Sequence, residues 1–218
     1  QCAAGMARHD PEDLRLARAL CSRYDVHLVV DEIAVGFGRT GTMFAHQQAG
    51  IRPDFICLSK GLTGGTLPLS AVLTTDVVYA AFYDDDVARG FLHSHSYTGN
   101  PLACRAALAT LELFEQLDAL NANKALAQRI DAACAPLAQH PRVRHARRLG
   151  MIWAWDVDTT LPDFSRRYHQ HAMARGLVLR PIGKTLYAMP PYVLDDEAVQ
   201  CLASGALAAL NATLQEEN

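Results

Sequence analysis

The 218 residues are enough for one large domain or about two average ones, and half of them are hydrophobic against a fifth charged, so a packed core is expected and disorder is not. A formal net charge of -3, with no run of five like charges, argues against a nucleic-acid footprint and a membrane-surface patch. No stretch of 18 apolar residues and no basic-then-apolar leader is present, so neither a membrane span nor a secretion signal is predicted.

In chain order, the first element predicted is a helix from about Pro11 to Tyr24. Asp10 suits its N-cap, Pro11 its first turn, and Glu12 and Asp13 the positive end of its dipole. Leu14, Ala17, Leu20 and Cys21 share one face of it. HLVV then reads as a buried parallel strand ending at Asp31 and Glu32, followed by a loop with Gly36, Gly38 and Gly41. A short helical piece, Met43–Ala49, leads to the strand FICLS, which ends at Lys60. After Gly61, Gly64 and Gly65 comes LSAVLTT, and the repeat of strand, helix and strand predicts a parallel sheet.

From Gly90 to Gly99 a polar loop is expected, FLHSHSYTG, before a long helix capped by Asn100 and opened by Pro101. A second helix follows, roughly Ala119 to Leu137. Beyond it VRHARRLG and MIWAWDV read as strands, 161–175 as a helix stopped by Gly176, LVLRP and LYAMP as short strands, and Asp195 to Leu214 as a closing helix. This gives an α/β portion over 1–117 and a smaller α+β domain over 118–218. Six cysteines at 2, 21, 57, 104, 134 and 201 contain no C-x-x-C, so reduced core thiols in a cytosolic protein are expected.

Two neighbouring parallel strands that end in Asp31 and Lys60 would bring a carboxylate and an amine to one sheet edge, where open α/β sheets bind ligands. Taken singly, an acid at a strand end is usually a cap and a lysine usually a solvated one. Together, and with FICLS apolar enough to desolvate Lys60, they suit pyridoxal phosphate: Lys60 as its Schiff-base lysine and Asp31 on the pyridinium nitrogen. Lys124 lies in a helix and Lys184 in a polar turn, so Lys60 has little competition. Ile33 has the side-chain phase of Asp31 if the chain stays extended, and could pack on the ring.

Gly36, Gly38 and Gly41 satisfy G-x-G-x-x-G, but two acids stand between the strand and the first glycine, the wrong surroundings for a pyrophosphate. His93 and His95 lack a local acid or cysteine to complete a metal set, so no metal is expected. Ser94 and Ser96 beside them suit a phosphate better. Arg180, after a strand and before Pro181, reads as a surface arginine by default; its planar fork would suit a carboxylate-bearing substrate.

The run LVVDEIAVGFGRTGTMFAHQQAGIRPDFICLSKGLTGG resembles the signature of the class III (fold type I) pyridoxal-phosphate aminotransferases. FLHSHSYTGNPLAC and LRPIGKTLYAMPPYV are most similar to members of that family that work in biotin synthesis. The likeness covers the whole chain but only the C-terminal half of such an enzyme, and a start at Gln1 in loop-like sequence is expected of a fragment. The family's first half supplies a glycine/serine phosphate loop and a ring-stacking aromatic, neither of which is in this chain.

What the resemblance implies falls on particular residues. Lys60 would bind the cofactor and serve as the acid–base, Asp31 would hold the pyridinium and Ile33 would face the ring. His95 and Ser96 would reach a cofactor phosphate across a homodimer interface, and Ser94 and Arg180 would contact substrate, Arg180 through the carboxylate of the keto acid. Some relatives read HGPT where this chain reads His93-Ser94-His95-Ser96. The implied exchange takes an amino group from S-adenosylmethionine to 8-amino-7-oxononanoate. One alternative is an ω-amino acid or diamine with pyruvate or 2-oxoglutarate; another is a truncated chain that is no catalyst.

Overall fold

The computed structural model describes residues 5–217, an α/β mixture divided into two compact units, one of residues 9–119 and one of 5–8 with 120–217. Gln1 and Cys2 lie outside the described residues.

The first unit opens with α1 (Pro11–Arg23), whose N-terminus is closed from both sides. The Asp10 side chain accepts the N–H of Glu12, and Asp13 accepts the N–H of Asp10. Strand β1 (Val29–Asp31) pairs in parallel with β2 (Phe55–Leu58), in a register that sets Asp31 opposite Cys57. Between them a 3-10 helix, Ala45–Ala49, ends at left-handed Gly50. Asp54 ties α1 to this sheet, because its carboxylate accepts the N–H of Leu28 at 2.7 Å and the Arg18 guanidinium at 2.6 Å. The Leu28 N–H and that guanidinium hold the Asp54 carboxyl below its usual range.

Two sequence expectations change here. β3 (Ala71–Thr74) runs antiparallel to β2, so the sheet β1-β2-β3 is mixed. The connection from Ser59 to Ser70 contains only the 3-10 helix Lys60–Thr63, too little to cross over a sheet face, and the chain turns back instead. Nor are the strands buried within this chain: Val29 and Asp31 are exposed and β2 is mostly half-buried, because few elements cover the faces of so small a sheet. The core of this unit is a small cluster of Phe37, Leu58, Leu62 and Ala107. Helix α2 (Asp76–Ala80), capped by Thr75, and a turn at Val87–Arg89 precede the polar loop, which has no regular structure. α3 (Pro101–Gln116) then starts where Asn100 accepts the N–H groups of Leu102 and Ala103.

In the second unit α4 (Ala119–Ala138) leads into the antiparallel sheet β4 (Val143–Leu149), β5 (Ile152–Val157) and β6 (Thr185–Ala188). Helices α5 (Phe164–Met173) and α6 (Asp196–Gln215) pack on one another, and Asp195 caps α6. Trp153, Trp155, Phe164, Tyr168, Ile130 and Leu210 belong to its buried core. Residues 5–8 join it because Arg147, paired with Asp156, also donates to the carbonyls of Gly5 and Met6.

LVLRP forms no strand. Its carbonyls at Leu179 and Pro181 are taken by side chains of α5, which leaves no ladder for a neighbouring strand to join. The cysteines divide as well. Cys134 is buried, and burial pushes its thiol up to about 11, but Cys104 and Cys201 are exposed and Cys21 and Cys57 half-buried.

Candidate active site

The parallel pair β1 and β2 fixes the site. Asp31 stands opposite Cys57 at the carboxyl end of β1, and Lys60 follows Cys57 by three residues, so both residues stand at the same edge of the sheet. One Asp31 oxygen accepts the N–H of Ile33 at 2.9 Å, which orients the carboxylate while it remains exposed. Lys60 is exposed too, not desolvated as its apolar neighbours suggest: β2 ends at Leu58, and the lysine opens a turn beyond the core. No ion pair joins Lys60 to any carboxylate among the described residues.

The turn that carries the lysine is built tightly. Lys60 sits at φ +46, a left-handed conformation that a side chain adopts only at a cost of about 1–3 kcal/mol. Its neighbour Gly61 could bear no Cβ without meeting the Phe37 side chain at 2.9 Å. Phe37 is buried and itself left-handed, at φ +55. The Ser59 hydroxyl donates to the Leu69 carbonyl at 2.7 Å and that of Thr63 to Leu67 at 2.6 Å, and α3 packs against the whole turn.

Glu32 has a different task from its neighbour. It is 2 % exposed, and its carboxylate accepts the N–H groups of Ala45 and His46 and faces the His46 ring nitrogen at 3.0 Å. It therefore holds the start of the Ala45–Ala49 turn rather than a ligand. No local signal in the sequence marks this, since the partners lie 13 and 14 residues on. The chain also leaves the extended state at Ile33, where Gly36 donates back to the Glu32 carbonyl at 2.8 Å. The phase argument that put Ile33 beside Asp31 is thus replaced by a turn, and Ile33 is half-buried within it. No α-helix opens behind Gly36, Gly38 and Gly41, so the phosphate-cradle pattern has no helix N-terminus to complete it.

Ser94, His95 and Ser96 lie in an exposed loop of the same unit. His95 organises the loop: its Nδ1 accepts the N–H of Tyr97, and its N–H reaches the Thr98 hydroxyl. The hydroxyls of Ser94 and Ser96 carry no hydrogen bond among the described residues. Arg180 belongs to the second unit, exposed on the irregular segment before Pro181, where it lines an open cavity of about 470 Å³ with Leu161, Arg166 and Lys184. The structure thus brings Asp31, Ile33 and Lys60 to one sheet edge, places the 94–96 loop in their unit, and leaves Arg180 in the other.

Residues 1–210 match the family model for aminotransferase class-III. The chain belongs to the class III aminotransferases. Among relatives of this family it is 43% identical over 217 residues to the adenosylmethionine-8-amino-7-oxononanoate aminotransferase of Helicobacter pylori, a match that takes in 97% of this chain and 50% of that protein. The structure of the enzyme of the same name from Methanocaldococcus jannaschii superposes with a TM-score of 0.87 at 30% identity, over 96% of this chain and 51% of the other. An omega transaminase from Pseudomonas jessenii, solved in complex with PMP, gives 0.84 at 27% identity, over 92% and 46%. This class III chain spans about half the length of the curated relatives it matches. Among its described residues no group of His, Cys, Asp and Glu could hold a metal ion, and no helix is long and apolar enough to cross a membrane.

Proposed function

We propose that this chain supplies the lysine-bearing half of a pyridoxal-phosphate aminotransferase that moves an amino group from S-adenosylmethionine to 8-amino-7-oxononanoate, giving 7,8-diaminononanoate for biotin. The observation that carries the reading is the placement of Asp31 and Lys60 at one edge of a parallel strand pair. The residues fit the cofactor: an exposed amine with no acid beside it, an oriented carboxylate at the same edge, and serine hydroxyls in the unit without partners of their own. The substrates are supported by the printed names of the relatives.

When bound, pyridoxal phosphate would supply an electron sink for charge that develops at the substrate's α-carbon. Lys60 would hold it covalently through Nζ and, once released, carry the proton between the two reacting carbons. Asp31 would keep the proton on the ring nitrogen, and Ile33 would lie against the ring. Ser96 and His95 would serve the phosphate of a partner subunit's site in a cytoplasmic homodimer. Ser94 would touch substrate, and the guanidinium of Arg180 would take the carboxylate of the keto substrate in a two-pronged bond. In this reading residues 1–117 complete the cofactor-binding domain and 118–218 form the small domain. A second reading keeps the residues and exchanges the substrates for an ω-amino acid or diamine with pyruvate or 2-oxoglutarate, favoured by the likeness to the omega transaminase.

The test is spectroscopic. Purified chain mixed with pyridoxal phosphate should develop a visible absorbance band that persists through gel filtration and is missing in Lys60→Ala. A band that survives the substitution removes Lys60 from its role. No band in the parent means that this chain does not hold the cofactor by itself.

A further inference from the structure

We infer that Ser165 and His169 are positioning residues that fix the backbone on both sides of Arg180 and so aim its guanidinium at a carboxylate. The inference rests on the reading of Arg180 given above and adds the means by which that arginine is held.

Arg180 sits on a segment without strand pairing of its own, yet the segment is pinned repeatedly. The Ser165 hydroxyl donates to the carbonyl of Pro181 at 2.8 Å, and Nδ1 of His169 lies 2.9 Å from the carbonyl of Leu179. A carbonyl only accepts, so Nδ1 of His169 carries a hydrogen. The two side chains are one turn apart on α5, at the spacing that puts residues on one helix face. Their targets are the residues immediately before and after Arg180, whose own side chain stays exposed.

Two further contacts fix the approach. Leu177 donates to the Ala172 carbonyl at 3.0 Å, and its side chain fills the space left by Gly205 on α6, where a Cβ would come within 2.5 Å of it. Pro181 restricts Arg180 to extended backbone. Ser165, His169 and Arg180 line the same cavity. A guanidinium that binds a carboxylate through two parallel bonds depends on its position, and small displacements of such a group are costly.

The test uses the full chain and two probes, hexanoate and its neutral analogue hexanamide, titrated by ligand-observed NMR, with hydrogen–deuterium exchange read over residues 177–182. The parent should prefer hexanoate by about tenfold, and Arg180→Ala should abolish the preference. His169→Ala and Ser165→Ala should each weaken hexanoate roughly three- to tenfold. In both, exchange should quicken at 177–182 and stay unchanged in β5 and α6. His169→Asn, which can place an N–H near the position of Nδ1, should restore both readouts. Equal binding of the two probes by the parent, or an unaffected Arg180→Ala, overturns the reading of Arg180 and this inference with it. Loss in Arg180→Ala with parent-like binding in the α5 variants overturns the positioning role alone. Faster exchange throughout the unit, without rescue by asparagine, also overturns it, since the two side chains would then serve general stability.

Discussion

Asp31 and Glu32 are adjacent acids with opposite surroundings. Asp31 stands exposed at a strand end with one backbone N–H on it, while Glu32 is buried and satisfies two N–H groups and a histidine ring. Substitution should separate them. Asp31→Asn should leave the urea midpoint unchanged and, under the role proposed for Asp31, depress turnover far more than cofactor retention in a full-length context, because the ring would lose the group that keeps its proton. Glu32→Ala should lower stability by about 3 kcal/mol or more, since it strands buried donors. A Glu32→Ala protein as stable as its parent would contradict the structural role. The place of the first acid at a strand end was legible from the apolar run that precedes it. The second was not, because His46 lies far along the chain and no periodicity links the two. Lys60 was legible as a candidate, but its exposure was not: apolar neighbours in sequence say nothing of whether a turn begins one residue later.

The elements whose ends carry their own chemistry could be read directly. Asp10 and Asn100 cap α1 and α3 as their residue types suggest, and the closing helix begins within one residue of where it was expected, with Asp195 as its cap. Where an element depends on distant partners the sequence was silent. LVLRP has strand composition and loses its strand to Ser165 and His169, and β3 turns antiparallel because its connection holds no full helix. The end of α6 shows the same dependence. Glu217 accepts the Thr159 hydroxyl and the N–H of Thr160 and pairs with Arg142, which together hold its carboxyl at about 2. An ordinary glutamate titrates near ~4.3, so this anchor contributes fully above that pH and is lost as the pH falls toward about 2. Glu217→Gln should therefore lie below its parent in thermal midpoint near about pH 6, and the gap should close by about pH 2–3. A gap that stays constant over that range would show that the charge on Glu217 is not what fastens α6.

The two units of the molecule differ in how far they cover their apolar side chains. Among the described residues, every large hydrophobic side chain that stands exposed lies in 9–119 except Met173, Val178 and Val193. In that unit the buried apolar side chains are Phe37, Ala49, Leu58, Leu62, Ala103 and Ala107, half of them alanines, whereas the other unit encloses two tryptophans, a tyrosine and a phenylalanine. Local stability follows burial, so resistance to unfolding should be unequal between the two. Phe82, Tyr83, Phe91, Leu92 and Tyr97 line a stretch with one short helical turn and no strand, and all five stand in water. Chymotrypsin at low dose should therefore nick the native chain first between 82 and 97, well before it touches Trp153, Trp155 or Tyr168. The digest should show an early C-terminal product that survives while the remainder is trimmed away, and simultaneous loss of every band would contradict this.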